Sequence, residues 1–334
     1  MQGLPPVDKL DKPDFLSLGH ATLDKVLGGG IPLNRITHIF GDKDTGKTTF
    51  ATYFVVLMQH RYPNKKVAYI DTENHLSEDR MKAMGVDVSS DRFLFYRASS
   101  TERVVELLVL LSAHTDVCGV VVDSLANTDT AATLEDPDSY ATDGKGGFKS
   151  TTFAAKNPSV IQKGIQKVKD NLTKRGDGDN AFTLLAINQL RQNIGVAYGP
   201  TTRTPGGFYF HYNAAVDISL YGKPVPVIED DMQVGIELRV RIPRSKYTTS
   251  YVLPYTLEKS DSLYIPFNNA LEEIKFQEFY RMVIDKGLIE TKGAWYTLKV
   301  GEEQLGKWQG KPTMMADLRS PELQTKIIEA LKED

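Results

Sequence analysis

Residues Gly41 to Thr48 read G-D-K-D-T-G-K-T and stand directly behind the apolar run Ile36-Thr37-His38-Ile39-Phe40. This is the G-x-x-x-x-G-K-[ST] pattern in the place its mechanism requires, between a buried strand and a helix. The glycines let the backbone curl until successive N–H groups face phosphate oxygens. Lys47 is then set to reach the β- and γ-phosphates, and the Thr48 hydroxyl to hold Mg²⁺. The helix beginning near Thr48 adds the positive end of its dipole. A chain with this turn is built around a strand–loop–helix unit that takes a nucleoside triphosphate.

The rest of the chain repeats that alternation. Strands are expected at Ile36–Phe40, Val67–Asp71, Phe93–Tyr96, Gly119–Asp123, Phe182–Asn188 and Val216–Leu220. Helices are expected between them at Thr48–Gln59, Ser77–Met84, Thr101–Ala113 and Ser159–Thr173. Short apolar runs alternating with helical patterns indicate βαβ units, hence an α/β fold with a mostly parallel twisted sheet flanked by helices. Two β-rich runs follow, Gln233–Ile242 and Tyr247–Leu257, patterned for an antiparallel edge. Two long polar stretches break the rhythm, Asp129 to Asn157 and Gln192 to Gly207. Both follow the carboxyl ends of expected parallel strands, where open α/β sheets bind their ligands. After Ser260 the character changes. Leu271, Ile274, Phe279, Met282 and Val283 form one helical face closed by Gly287, followed by G-A-W-Y at Gly293–Tyr296 and a helix near Glu322–Leu331. The expected division is a short N-terminal segment over 1–32, a core over 33–260 and a small C-terminal α/β domain over 261–334.

Net charge is −3, so no global field draws the chain to a polyanion, and any such contact must be local. The one cysteine, Cys118, lies in an apolar run and reads as a core residue. With no internal disulfide possible, a reducing compartment fits. No 18-residue apolar stretch exists and the N-terminus lacks a signal-peptide core, so the expectation is a cytoplasmic protein with no membrane partner.

Hydrolysis needs more than a phosphate loop. Asp123 ends the run G-V-V-V, where an acidic residue can hold the Mg²⁺ hydration shell. Glu73, just past the strand ending at Asp71, can orient an attacking water, while Asp71 itself reads as a supporting carboxylate. Gln189 ends a strand and opens the second long loop, so its amide can join a γ-phosphate to that loop as an order–disorder switch. Read alone, Arg239, Arg241, Arg244 and Lys246 are a solvated strand face. His75, beside Glu73, reads as structural.

The order G-D-K-D-T-G-K-T, Y-I-D-T-E-N-H, V-V-V-D-S, A-I-N-Q-L-R-Q-N-I-G-V and P-G-G resembles the bacterial RecA recombinases and their phage-encoded relatives. The resemblance runs from about Phe15 to the C-terminus and includes G-A-W-Y. It implies an ATP-dependent homologous recombinase that forms helical filaments on single-stranded DNA, pairs it with homologous double-stranded DNA and exchanges strands, with DNA-stimulated ATP hydrolysis. ATP and Mg²⁺ are the implied cofactors; a loading mediator and a single-strand-binding protein are implied partners.

Carried over residue by residue, Gly41, Asp42, Lys43, Asp44, Thr45, Gly46, Lys47, Thr48 and Thr49 match the phosphate loop. Glu73 matches the catalytic carboxylate, Asp123 the Mg²⁺ aspartate and Gln189 the nucleotide-sensing glutamine. Arg244 and Lys246 match two lysines that reach a neighbour's γ-phosphate across the filament interface; arginine at the first keeps the charge. The two long stretches match the DNA loops. Their candidate contacts are Lys156, Lys163, Arg191, Asn193, Gly195, Arg203, Gly206 and Gly207, with Ile194 as an apolar wedge between bases.

Three positions depart from the family. Its N-terminal helix is missing from the short stretch before Phe15, Arg80 stands where a tyrosine stacks on adenine, and Asn193 replaces a basic residue. Two other classes stay open on the residues alone: a ring-forming RecA-fold DNA motor, and a non-catalytic recombination mediator. The I-N-Q-L-R…I-G-V…P-G-G order argues against the first, and intact Lys47, Glu73 and Asp123 against the second.

Overall fold

In this computed structural model the described residues are 14–124, 156–176, 178–192, 202–203, 209–229, 231–247, 255–256, 262–267, 286–333 and several positions between 272 and 284. Contacts divide the chain into Met1–Ala270 and Leu271–Asp334.

The first unit opens with β1 (Phe15–Leu16), α1 (Ala21–Leu27) and β2 (Ile31–Pro32), the two strands pairing antiparallel. His20 caps α1 by accepting from the Leu23 N–H, and Gly28 ends it at φ 91°. The alternating part follows as β3 (Ile36–Gly41), α2 (Lys47–Arg61), β4 (Lys66–Asp71), α3 (Glu78–Ala83), β5 (Phe93–Arg97), α4 (Thr101–Ala113), β6 (Val117–Asp123), α5 (Lys156–Arg175) and β7 (Thr183–Gln189). Then come the two-residue strands β8 (Arg191–Gln192) and β9 (Thr202–Arg203), the short α6 (Tyr209–Asn213), the long β10 (Val216–Glu229) and β11 (Met232–Ser245), and β12 (Tyr255–Thr256) and β13 (Leu263–Pro266).

The main sheet runs β12-β11-β10-β3-β7-β6-β4-β5, with β13 also on β11. From β5 to β10 every pairing is parallel; β11 and its neighbours are antiparallel. Side chains alternate across this sheet. Ile36, Ala68, Ile70, Val120, Val122, Leu184 and Ala186 share a core with Val104, Leu107, Leu108 and Leu111 of α4 and Ile161, Ile165, Val168 and Leu172 of α5. The opposite face packs on α2, whose Phe50, Phe54, Leu57 and Met58 are fully buried. Burial on both faces is why β6 reads V-C-G-V-V-V rather than alternating.

Three boundaries differ from the sequence expectation. The strand expected at Val216–Leu220 continues to Glu229 despite Pro224 and Pro226. β3 pairs only with Val216–Leu220; beyond it β10 has β11 alone beside it, with a register shift between Tyr221 and Val225. A missing N–H at a bulge with one open side costs no ladder bond, so proline is tolerated. The next strand lengthens likewise to Met232–Ser245, while most of the expected Tyr247–Leu257 strand lies outside the described residues. Lys156 and Asn157, expected at the end of a loop, form the first turn of α5, where Pro158 needs no donor.

The second unit is a meander of β14 (Ile289–Lys292), β15 (Trp295–Val300) and β16 (Glu303–Gln309), followed by α7 (Lys311–Leu318) and α8 (Pro321–Glu333). Its core is Phe276, Phe279, Val283, Leu298, Trp308, Met314, Leu318 and Ile327. The indole Nε1 of Trp308 donates to Asp317 Oδ2 at 2.5 Å, and Gly287 turns the chain at φ 67°. Among the described residues no helix is long and apolar enough to cross a membrane.

Candidate active site at the strand ends

A cavity of about 380 Å³ opens where β3, β4, β6 and β7 end, lined by the turn Lys43–Thr49 together with Glu73, Asp123 and Gln189. The turn holds its shape by two glycines. A Cβ on Gly41 would sit 2.3 Å from the Leu220 carbonyl oxygen of β10, and Gly46 enters α2 at φ 89°. Thr45 Oγ1 donates to the Asp42 carbonyl at 3.0 Å. Lys47 is only 7% exposed and folds back so that Nζ donates to the same carbonyl at 2.5 Å. Burial lowers its pKa, against the opposing pull of Asp123, Glu73, Asp42 and Asp44. An ammonium in this position is already partly stripped of water and surrounded by acceptors, as a phosphate clamp must be.

Asp123 is buried at the end of β6. Its Oδ2 accepts from the Thr48 hydroxyl and from the Tyr69 phenol, each at 2.8 Å. Burial raises its pKa most; the two hydroxyls pull it down, and Glu73 and Asp71 push it up again. A hydroxyl and a carboxylate this close form the hard-oxygen pair that Mg²⁺ takes, the remaining ligands being water and phosphate oxygens. Among the described residues there is no group of three His, Cys, Asp or Glu placed to hold a metal ion. The residues present fit Mg²⁺.

Glu73 is presented by Asp71, whose Oδ1 accepts from the backbone N–H groups of Glu73 and Asn74 at 2.9 and 2.8 Å and whose Oδ2 accepts from Leu76 at 3.2 Å. The Glu73 Oε1 atom accepts from Ser124 Oγ at 2.8 Å and from Gln189 Nε2 at 2.7 Å. Thr72 fastens this turn to β6, donating to the Ser124 carbonyl at 2.6 Å and accepting from its N–H at 2.9 Å. Arg80 also lines the cavity, its Nη2 donating to Thr49 Oγ1 at 2.9 Å. So does His75, expected to be only structural, together with Pro224 and Ile236.

Not every candidate residue comes here. Arg244 lies on β11 and donates through Nε to Asp217 Oδ2 at 2.8 Å and through Nη2 to the carbonyls of His211 and Ala214. Lys246 is exposed; burial of its stem lowers its pKa, helped by the nearby charges of Arg244 and Lys169. Lys163 is exposed on α5. Lys156, Arg191 and Arg203 are described in backbone only, Arg191 facing Arg203 across the β8–β9 pair. Asn193, Ile194, Gly195, Gly206 and Gly207, and residues 129–155 of the first loop, lie outside the described residues. Sequence reasoning missed Ser124 and Tyr69. The V-V-V-D-S run contains the serine, but nothing local distinguishes it from any hydroxyl at a strand end.

Strand, phosphate turn, helix and a ring of strand-end carboxylates define a P-loop nucleotide-binding protein on a RecA-like sheet. The RecA N-terminal domain family model matches residues 8–256, and the chain belongs to that family. It is 29% identical over 322 residues to Protein RecA of Fusobacterium nucleatum, covering 96% of this chain and 76% of that one. Against Protein RecA of Thermus aquaticus it is 29% identical over 318 residues, 94% of this chain and 83% of the relative. Against that of Thermus thermophilus it is 28% identical over 324 residues, 95% and 85%. The chain is a RecA-type recombinase of the P-loop ATPase type. Use of nucleotide and Mg²⁺, DNA binding and filament-type oligomerisation go with that membership in general terms.

Proposed function

We propose that this recombinase forms helical filaments on single-stranded DNA, pairs it with homologous duplex and exchanges strands, with ATP hydrolysis stimulated by DNA. The observation that carries the reading is the hydrogen bond of 2.7 Å from Gln189 Nε2 to Glu73 Oε1. It joins the residue that opens the second loop to the carboxylate placed to orient water.

In this reading the backbone from Gly41 to Thr49 and Lys47 hold the triphosphate, and Arg80 packs against the base. Thr48 and Asp123 hold Mg²⁺, which when bound supplies charge neutralisation at the phosphate oxygens. Glu73 orients the attacking water while Ser124 fixes its carboxylate. A γ-phosphate offers Gln189 a stronger acceptor than Glu73, and the exchange of partner draws on the loop behind it. Lys156, Lys163, Arg191 and Arg203 then bear on DNA phosphates, with Asn193, Ile194, Gly195, Gly206 and Gly207 along the second loop. Arg244 and Lys246 serve the nucleotide of the adjoining protomer. The core over 33–260 carries this chemistry and 261–334 gathers duplex; a loading mediator and a single-strand-binding protein are the expected partners.

The test measures retention of a labelled oligonucleotide with ATP and with ADP, alongside joint-molecule formation from homologous strands. Tight retention with ATP alone, and joint molecules that require it, are expected. Equal retention with either nucleotide overturns the reading.

A further inference from the structure

Behind the nucleotide cavity, on the other face of the sheet, lies a second polar centre. Across three adjacent strands His38 of β3, Asp217 of β10 and Arg244 of β11 are direct register partners, so their side chains share one face. Asp217 is fully buried. Its Oδ1 lies 3.0 Å from His38 Nδ1, and its Oδ2 lies 2.8 Å from Arg244 Nε and 2.5 Å from His211 Nδ1. His38 Nε2 in turn lies 3.0 Å from Asn188 Nδ2. One carboxylate thus gathers Arg244, the residue just before Gln189 (through His38), and a residue of α6.

These ties bracket the second loop. Asn188 stands at its entry, one position before Gln189, and α6 begins at Tyr209, two positions after its expected end at Gly207. Arg244 grips the exit through the carbonyls of His211 and Ala214, and Lys169 Nζ adds a bond of 3.1 Å to Asn213 Oδ1. The backbone pairing of β8 with β9 closes the same loop on itself. Within this centre Asn188 Oδ1 is buried with no hydrogen-bond partner among the described residues, as is Thr37 Oγ1 on the neighbouring strand. Buried amide oxygens are almost always paired, so this one is an exception at the loop's entry.

We propose that Asp217 is a positioning residue that fastens Arg244 and both stems of the second loop to one point, so that engagement of Arg244 by a neighbouring protomer's nucleotide changes how tightly the loop holds DNA. This rests on the reading of Arg244 as the cation that crosses the interface. Coupling needs no movement of the sheet, only a redistribution of hydrogen bonds around one carboxylate. His38 passes the change to Asn188 and α6 passes it to the loop's far end.

The experiment measures the ratio of single-stranded DNA affinity in ATP to that in ADP, together with affinity for a fluorescent ATP analogue. A role in stability alone lowers the active fraction equally in both nucleotides and leaves the ratio unchanged. Asp217→Asn should compress the ratio about tenfold and His211→Gln about threefold, within the usual span of coupling between sites, with analogue affinity kept within about twofold. Should Asp217→Asn fail to fold, His211→Gln, at a half-exposed position, decides the matter. Arg244→Ala is the reference. If it collapses the ratio while Asp217→Asn and His211→Gln keep the wild-type value, the proposal falls and the interface reading stands. If Arg244→Ala itself keeps the wild-type ratio, the interface reading falls and the proposal with it.

Discussion

Asp123 and Asp217 are buried carboxylates of the same sheet, on β6 and β10, and their surroundings push them in opposite directions. Asp123 has two hydroxyls on one oxygen and two further carboxylates nearby, and burial holds its pKa above the ordinary value. Burial would raise Asp217 too, but hydrogen bonds from His38 and Arg244 together outweigh it and leave its pKa lowered. The difference lies in who supplies the positive charge. Asp217 is matched by the chain's own His38, His211 and Arg244. Asp123 has the Lys47 ammonium nearby but no ion pair among the described residues, which leaves its carboxylate to a divalent cation that arrives with the substrate.

The largest effect that can sharpen this contrast is on turnover. Asp123→Asn should lower ATP hydrolysis by about 100-fold or more and raise the Mg²⁺ concentration needed for half-maximal rate, the range expected when phosphoryl-transfer stabilisation is removed. An unchanged Mg²⁺ midpoint would remove Asp123 from the metal. Glu73→Gln should bind ATP and DNA yet turn over about 100-fold more slowly, as loss of a positioned acid–base group costs. Single-turnover phosphate release at the wild-type rate would end that assignment.

The two aspartates should also differ in stability. Asp217→Asn should lose about 2 kcal/mol at neutral pH, the worth of hydrogen bonds to a charged group. Because the folded pKa of Asp217 is lowered below 3.8, its contribution is complete above that value and disappears as pH falls through the lower folded value. The gap in thermal midpoint between wild type and variant should therefore narrow in acid. For Asp123 the sign reverses: its pKa is raised, so ionisation costs stability above the folded value, and Asp123→Asn should match or exceed wild-type stability near neutral pH. A destabilised Asp123→Asn would break the comparison. The smallest effect belongs to Ser124→Ala, which removes a donor to Glu73 Oε1 and should slow turnover about fivefold with nucleotide affinity unchanged, the cost of one hydrogen bond. A rate equal to wild type would remove Ser124 from the orientation of Glu73.

What the sequence revealed of this site follows from parallel-sheet geometry. Lys47, Thr48, Glu73, Asp123 and Gln189 each stand at or just past the carboxyl end of an apolar run, and a parallel sheet brings such ends together. The same rule located the two long loops. Ser124 and Tyr69 stayed hidden because a hydroxyl becomes a carboxylate's partner only through strand register. The Asp217 centre was less legible still: His38 and Asp217 are 179 positions apart, and His38 and Asn188 150. Arg244 looked like one charge of a solvated face because Arg239, Arg241 and Lys246 stand beside it, yet alternation along β11 turns it toward Asp217. Strand ends misread at Pro224 failed for a similar reason, since whether proline breaks a strand depends on which neighbour is present.

The last two residues of β7 carry a consequence of their own. Neighbouring side chains on a strand emerge on opposite layers, so Asn188 reaches the His38 side while Gln189 meets Glu73. A single flat amide links them, too stiff to twist. Two adjacent residues thereby serve two polar centres on opposite layers, so a change of backbone at this one dipeptide is felt by both.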